Sequence, residues 1–142
     1  APTTPPAAGE QIGVTRDDDA LAVRTQVREI MRDDVSVVRS AASLSDAIAR
    51  LDTIMAEPAL GRDTLDASTT RTMALLARAI ATSALGRRES RGGHFRSDFP
   101  STDSSLDGQH QLVTRRQDGT FERAFGSLDL AWAAPAAHAA NG

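Results

Sequence analysis

The sequence predicts a mainly α protein, in which an antiparallel three-helix bundle is followed by a loop and a short β-hairpin. Three observations lead to this fold class. Apolar residues recur at helical spacing in three successive segments of the chain. Ser, Thr and Asp residues, which favour helix starts, precede each of these segments. An Asp-Gly turn signal at residues 118–119 then separates two runs of strand-forming residues.

The first helix is expected to begin near Thr15, which is followed three residues later by Asp18 in a spacing like that of a capping box. Its apolar residues keep spacings of three and four along the whole segment. The pattern predicts one long amphipathic helix, weakened near Asp33 and Asp34. The apolar stripe comprises Val23, Val27, Ile30, Met31, Val35 and Val38.

The second helix is predicted from Ser43 and Asp46, which repeat the capping pattern, and from the apolar stripe that follows them. Pro58 and Gly61 are predicted to end this helix, because neither residue favours its continuation. The stripe comprises Leu44, Ile48, Leu51, Ile54 and Met55.

The third helix is predicted to open at Asp63 and Asp66. Its apolar residues fall on two faces, so we expect it to lie between neighbouring helices rather than at a surface. The short connections between the three helices are typical of an antiparallel bundle. One apolar face comprises Leu65, Thr69, Met73, Leu76 and Ile80, and the other comprises Leu75, Ala79 and Leu85.

The hairpin is predicted with the Asp-Gly pair as a two-residue turn. This register places Arg115 opposite Glu122, which gives an ion pair across the strands. It also places Arg116 opposite Phe121, which gives a cation–π contact. Because an isolated hairpin is only marginally stable in water, we expect it to lean on the bundle or on another domain.

These elements divide the chain into four segments. Residues 1–15 are rich in Pro, Ala and Thr and are interpreted as a linker. Residues 16–100 form the bundle, residues 101–126 form the loop and hairpin, and residues 127–142 form a flexible tail anchored by Trp132. Since the chain begins without Met, we expect it to be a piece of a longer protein.

Composition excludes several classes of function. The 142 residues suffice for one domain, and none of them is cysteine, which excludes disulfides and thiolate sites and fits a cytoplasmic protein. The 16 basic residues are all arginine and are interleaved with acids, giving a net charge of −3. This distribution argues against a nucleic-acid surface. Because Arg78 interrupts the longest apolar stretch, we expect no membrane span.

The sequence also offers no set of reactive groups. The three histidines, His94, His110 and His138, lack the spacing of metal ligands. No nucleophile and base accompany His94 at a recognisable spacing. We therefore assign no catalytic, cofactor-binding or metal-binding residue to this chain.

The densest cluster of functional groups lies at residues 89–100, which we call the elbow and which read ESRGGHFRSDFP. Its two glycines permit a sharp turn after the third helix, and Pro100 prevents helical continuation. One interpretation is a structural turn whose ions pair among themselves. The other is a contact site for a neighbouring domain. The residues in question are Glu89, Ser90, Arg91, His94 and Arg96.

The elbow resembles a signature of the succinate dehydrogenase/fumarate reductase flavoprotein family, in which Glu-Ser-Arg-Gly-x-His precedes an acidic-aromatic-Pro ending. Here the two parts are residues 89–94 and 98–100. Residues 28–39 and 43–51 are similar to the first two helices of that family's C-terminal helical domain. The resemblance covers roughly residues 20–116 and is strongest to the L-aspartate oxidase branch of the family.

The resemblance implies a role within a larger enzyme. That enzyme would use FAD to oxidise L-aspartate to iminoaspartate, the opening step of NAD biosynthesis from aspartate. FAD and substrate would be held by flavin-binding and capping domains that this chain lacks, so the chain alone is expected to be inactive. Its helical bundle would buttress those two domains. Glu89, Ser90, Arg91, His94 and Arg96 would lie at the contact.

Two alternatives remain open at this point. The chain could instead be the C-terminal domain of a succinate dehydrogenase or fumarate reductase flavoprotein subunit. The short segment after Pro100 favours the aspartate oxidase branch. The chain could also be a stand-alone helical interaction module. A domain of a larger enzyme should expose an apolar or arginine-rich docking face, whereas a self-contained module should have a closed surface.

Overall fold

The computed structural model describes residues 16–127. The predicted linker at 1–15, the Thr15 cap, Trp132 and nearly all of the predicted tail lie outside the described residues. The helices are α1 (Asp18–Asp33), α2 (Ala41–Met55) and α3 (Leu65–Gly86). The strands are β1 (Val38–Arg39), β2 (Phe95–Arg96), β3 (Gln109–Arg115) and β4 (Phe121–Ser127).

The predicted fold class is confirmed: the three helices pack around one core, and β3 and β4 form an antiparallel hairpin. A second, parallel pair joins β1 to β2. No described helix combines the length and the apolar character needed to cross a membrane. The largest buried apolar residues of the core are Val23, Val27, Ile30, Val35, Leu44, Leu51, Ile54 and Leu60.

The helix starts lie one to three residues from their predicted positions. Each has an oxygen-bearing N-cap whose side chain accepts a backbone N–H, namely Asp17, Ser40 or Thr64. Ser43 is therefore not the cap of α2 but the reciprocal partner of Ser40 in its capping box.

The prediction of a first helix that continues to Val38 was wrong. Helix α1 ends at Asp33, and Val38 lies in β1 with 65% of its surface exposed. Val35 remains buried in the core although it follows the helix. The helical spacing of apolar residues therefore extends beyond the end of α1, because the turn that follows the helix places Val35 against the same core.

The predicted faces of α3 were also wrong. Its buried face consists of small side chains, whereas Leu65, Leu76 and Ile80 are 68%, 58% and 49% exposed. Alanine residues are weak signals in a search for apolar periodicity, but their small side chains allow α1 and α2 to approach α3 closely. The helix thus has one buried face and one exposed apolar face. The buried residues are Ala67, Thr70, Ala74, Ala77, Ala81 and Ala84.

We predict that Ala74→Leu will lower the free energy of unfolding by about 1–3 kcal/mol, because the fully buried alanine leaves no room for a larger side chain. Ala42→Leu is the matched control, since Ala42 is exposed on α2. Urea unfolding of both variants checks the prediction. Equal stability of the two variants would contradict the alanine-mediated packing of α3.

The hairpin forms as predicted, but its register differs by one residue. Arg115 pairs with Phe121, and Glu122 lies opposite Thr114. The turn is a three-residue loop at 117–119. It is closed by hydrogen bonds from the Arg116 N–H to the carbonyl of Thr120 and from the Gly119 N–H to the carbonyl of Arg116, and Gly119 has a positive φ. An ion pair still forms, but it joins Arg116 to Glu122 at 2.7 Å.

The hairpin leans on α3. Arg78 of α3 lies over the ring of Phe121 at 4.8 Å, so the predicted cation–π contact from Arg116 is replaced by one from the helix. Arg123 Nη1 donates to the carbonyl of Thr82 at 3.1 Å. Ser83 on α3 donates to the side chain of Gln111 on β3 at 2.9 Å. These contacts place one end of β3 beside the elbow.

Candidate functional site

The elbow begins where α3 ends. The helix closes at Gly86, and the chain then makes a tight two-residue turn at residues 92–93. Arg91 and His94 exchange two backbone hydrogen bonds across this turn, of 2.8 and 2.9 Å. Gly92 has a φ of +54°, a conformation that glycine adopts without strain. The glycine pair therefore reverses the chain, as the sequence predicted.

The returning chain is held by the short strand pair β1–β2. Phe95 donates its N–H to the carbonyl of Val37 at 3.1 Å, and Ser97 donates to that of Arg39 at 2.9 Å. The α1–α2 connection is thereby fixed to the elbow. Sequence reasoning missed this pair, because two-residue strands carry no detectable alternation.

Glu89 is fully buried beneath the elbow. Its carboxylate accepts hydrogen bonds from Arg87 Nε at 2.7 Å, from Arg91 Nη2 at 3.2 Å and from the Asp103 N–H at 2.8 Å. Burial alone would raise the pKa of Glu89, but the Asp103 N–H and the two guanidinium groups outweigh it and hold the pKa at about 2. Glu89 is therefore a charged internal anchor for the start of the elbow.

Arg96 is the largest fully buried side chain of the described residues, with 1% of its surface exposed. It lies at the carboxyl end of α3, where carbonyl groups lack helical partners and the helix dipole favours a cation. Arg96 thus serves as a side-chain cap for α3. Its Nη1 lies 3.0, 3.1 and 3.2 Å from the carbonyl oxygens of Ala84, Leu85 and Arg87.

Asp98 completes this arrangement. It accepts two parallel hydrogen bonds from Arg96, of 2.8 and 2.7 Å, and a third from the Ala41 N–H at the start of α2, of 3.0 Å. The hydrogen bonds from Arg96 are the main reason that the pKa of Asp98 lies well below its usual range. One ion pair therefore joins the carboxyl end of α3 to the amino end of α2.

Ser90 ties the two arms of the elbow together. Its Oγ accepts the N–H of Arg96 at 2.9 Å and donates to the carbonyl of Phe99 at 2.8 Å. Its backbone bonds to Ser101 and to the hydroxyl of Thr102. Because both hydroxyl roles are used within the elbow, Ser90 has a positioning role.

Arg91 and His94 are the two predicted site residues that remain partly exposed. Arg91 Nη2 donates to Asp107 at 2.6 Å and to the carbonyl of Asp103 at 3.1 Å. His94 Nε2 lies 3.2 Å from the carbonyl of Arg87, which requires a proton on Nε2. Burial is the main reason that the pKa of His94 is lowered, so the imidazole is neutral at pH 7.

The five predicted residues therefore come together, but at two levels. Glu89, Ser90 and Arg96 are buried and bonded within the chain, whereas Arg91 and His94 reach the surface. Sequence reasoning gave no role to Asp98, although it is the main partner of Arg96. It also gave none to Arg87, which donates to the buried carboxylate of Glu89.

Exposed apolar side chains flank the elbow. Val38 and Phe95 are opposite each other in the β1–β2 pair, and they are 65% and 40% exposed. Val37 beside them is 56% exposed. Leu76 and Ile80 expose further apolar surface on α3. Clustered exposed apolar residues mark surfaces that contact another protein.

The described residues do not fit a flavin site. Residues 16–127 contain no strand that leads through a glycine-rich turn into a helix, which is the arrangement that binds a dinucleotide pyrophosphate. Within the same residues, no three His, Cys, Asp or Glu side chains converge as metal ligands. The elbow is therefore a structured turn that presents charged and polar side chains at the surface.

Comparison with known proteins agrees with this geometry. Residues 24–136 match the family model described as "Fumarate reductase flavoprotein C-term". The chain belongs to this family. The match includes all three helices from Arg24 onward, the elbow and the hairpin, and it confirms the resemblance drawn from the elbow motif. The chain is thus the C-terminal domain of a flavoprotein of the succinate dehydrogenase/fumarate reductase family, a family of oxidoreductases whose name implies a flavin in the complete enzyme.

Two relatives show how much of a complete enzyme this flavoprotein domain represents. The L-aspartate oxidase of Rhodospirillum rubrum is 42% identical over 86 residues, which is 61% of this chain and 28% of that protein. One subunit of the fumarate reductase (CoM/CoB) of Methanothermobacter marburgensis is 38% identical over 89 residues, which is 56% of this chain and 16% of that protein. The chain spans less than a third of the length of either relative.

Two solved structures contain a similar fold. Mycobacterium smegmatis Sdh1 in complex with UQ1 superposes with a TM-score of 0.62 at 21% identity, over 76% of this chain and 20% of that chain. The FrdA protein of E. coli quinol fumarate reductase superposes with a TM-score of 0.58 at 19% identity, over 85% of this chain and 26% of that chain. At these identities the likeness establishes the fold of the flavoprotein domain.

Proposed function

We propose that this chain is the C-terminal domain of an FAD-dependent L-aspartate oxidase, which converts L-aspartate to iminoaspartate for NAD biosynthesis. The observation that carries the proposal is the similarity to L-aspartate oxidases, which reaches 42% identity over 86 residues. FAD and substrate are held by flavin-binding and capping domains outside this chain. The enzyme acts in the cytoplasm.

The domain contributes docking rather than chemistry. Glu89, Ser90 and Arg96 are buried and fix the shape of the elbow from within. Arg91 and His94 are presented at the surface of the elbow, beside exposed apolar residues of β1 and β2. A mixed apolar and arginine-containing surface is typical of contacts between proteins. The flavin-carrying part of the longer enzyme is the occupant that this surface fits.

The activity is tested on the longer, FAD-containing protein. Addition of L-aspartate should bleach the flavin absorbance without oxygen and should support continuous turnover with oxygen or fumarate as acceptor. Succinate should do neither. Oxidation of succinate without oxidation of aspartate would contradict the proposed substrate while leaving the flavoprotein family intact.

A second candidate is the flavoprotein subunit of a fumarate reductase or succinate dehydrogenase. The observation in its favour is the 38% identity to the Methanothermobacter fumarate reductase over a similar length of chain. The two candidates share the docking role of this domain and differ in substrate. The comparison of aspartate with succinate therefore decides between them.

We predict that Val38→Asp will weaken docking in the longer enzyme by about 2 kcal/mol or more, because a carboxylate would be buried at the contact without a partner. In the 142-residue chain, where Val38 is 65% exposed, the same change should alter stability by less than about 0.5 kcal/mol. The measurements are the temperature of flavin release and the rate of aspartate oxidation.

Leu65→Asp is the matched control for this prediction. Leu65 is 68% exposed, but it lies at the opposite end of α3 from the elbow. The control variant should keep the flavin-release temperature and the turnover rate of the parent enzyme. If Val38→Asp also left both unchanged, the elbow surface would not be the docking surface.

A further inference from the structure

An open cleft of about 320 Å³ lies between α3, β3 and the elbow. No acidic side chain lines this cleft, although acids are the most numerous charged residues of the chain. Nearly all of its polar lining groups can donate hydrogen bonds, and its apolar groups are small or aliphatic. The lining residues are Arg39, Ile80, Ser83, Ala84, Arg87, His94 and Gln111.

Arg39 lines this cleft, and its guanidinium has an unsatisfied nitrogen. Among residues 16–127, its Nε is the buried side-chain nitrogen or oxygen that lacks a hydrogen-bond partner. Leaving a buried donor unpaired is unfavourable, so native structures normally satisfy such a group or reserve it for a ligand. Burial, and then the neighbouring charge of Arg96, lower the pKa of Arg39.

Arg87, which also lines the cleft, and the neighbouring Arg96 are already paired with acids. Arg87 contacts Glu89 at 2.5 Å, and Arg96 contacts Asp98 at 2.7 Å. Arg39 forms no ion pair with any acid of the part of the chain that the structure describes. The positive charge of Arg39 therefore has no acidic partner among the residues that line the cleft.

The remaining groups of the cleft are compatible with a small ligand that has an anionic group and a short aliphatic chain. Gln111 uses its Oε1 to accept from Ser83, which leaves its amide N–H groups available as donors. Ile80 and Ala84 provide apolar wall on the α3 side. A guanidinium binds a carboxylate through two parallel hydrogen bonds, and Nη1 and Nη2 of Arg39 can supply them, because its Nε is buried away from the cleft.

We infer that the cleft binds a carboxylate, with Arg39 as its principal ligand and the amide of Gln111, which Ser83 holds in place, as a supporting hydrogen-bond donor. The carboxylate can come from a free small acid or from an acidic side chain of the longer enzyme. The inference depends on this chain's own residues and does not depend on the proposed oxidase activity. Arg39 acts here as a binding residue and takes no part in catalysis.

The test is a titration of the 142-residue chain with sodium acetate, compared with sodium chloride at equal ionic strength. The ¹H–¹⁵N signal of the Arg39 Nε–H group should shift saturably with acetate and little with chloride. Arg39→Gln should raise the Kd for acetate by about tenfold or more, since a charge-assisted bidentate contact is lost. Arg39→Lys, which keeps the charge but lacks the planar group, should also weaken binding.

Arg28→Gln is the matched control, because Arg28 is exposed on α1 and its removal changes the net charge equally. This variant should bind acetate like the parent chain. An Arg39 signal that responds equally to acetate and chloride would overturn the inference. Unchanged acetate binding by a folded Arg39→Gln variant would overturn it as well.

The source of the carboxylate is distinguished in the longer, FAD-containing protein. If the Arg39 signal there is already at its acetate-bound position and insensitive to acetate, an acidic side chain of the enzyme fills the cleft. If the signal still titrates, the ligand is a free carboxylate. An Arg39 signal at the unbound position that does not respond to acetate in the longer protein would contradict both sources.

Discussion

Arg96→Met is expected to lower the free energy of unfolding of this chain by about 2–4 kcal/mol, because it leaves carbonyl groups at the carboxyl end of α3 without their buried donor. Arg96 is 1% exposed, and methionine fills much of the same volume without any donor. Asp98 would lose both of its guanidinium hydrogen bonds. The carboxyl end of α3 would lose its cap at the same time.

Chemical unfolding of the variant, followed by circular dichroism, measures this loss. Arg96→Lys should be intermediate, because an ammonium keeps the charge but cannot bond to Asp98 and to the helix carbonyls in the same plane. Arg28→Met on the exposed face of α1 is the control and should change stability by less than about 0.5 kcal/mol. A loss at Arg96 no larger than that of the control would mean that the α2–α3 ion pair does not organise the elbow.

Glu89→Gln is expected to cost about 3 kcal/mol at pH 7, although the two side chains are nearly equal in size. The fully buried carboxylate of Glu89 accepts from Arg87, Arg91 and the Asp103 N–H. An amide offers one acceptor oxygen and places its NH₂ group against donors. The variant therefore leaves buried donors unpaired in addition to losing the charge.

The effect of Glu89→Gln should depend on pH. The pKa of Glu89 is lowered from 4.5 to about 2 in the folded chain, so its contribution is complete above the unfolded value and is lost as the pH falls towards 2. The stability difference between the parent and the variant should therefore shrink between about pH 4.5 and pH 2. A residual acid dependence should persist in the variant, because the pKa of Asp98 is also lowered.

Unfolding curves recorded at several pH values check this prediction. Glu29→Gln, on the exposed face of α1, is the matched control and should leave the stability nearly unchanged at every pH. If the difference between the parent and Glu89→Gln stayed constant as the pH fell, the carboxylate would not be the ionised anchor described above.

The helices of this fold could be predicted from sequence because their large apolar residues recur at a helical period. The faces of α3 could not, since the buried stripe is built from alanines, while Leu76 and Ile80 point away from the core. A search for hydrophobic periodicity emphasises large apolar side chains, whereas helices that pack closely need small side chains at their contact. The register of the hairpin was missed for a local reason, namely the third loop residue that the positive φ of Gly119 permits.

The composition of the candidate site could be predicted, but its layering could not. The sequence identifies Glu89 and Arg96 as unusual because their charges are concentrated in a short turn. Their burial depends on groups that are distant in sequence, such as the Ala41 N–H, which bonds to Asp98 from 57 residues away. The unpaired Arg39 Nε is likewise visible only once β1 lies beside the elbow.

The most direct test of the central claim, that the elbow surface packs against the flavin-carrying part of a longer enzyme, is amide hydrogen exchange. Exchange at residues 37–39 and 91–97 is compared between the 142-residue chain and the same residues within the longer protein. We predict slower exchange at both segments in the longer protein, with residues 65–68 at the far end of α3 unchanged. Equal exchange at the elbow in the two proteins would contradict the claim.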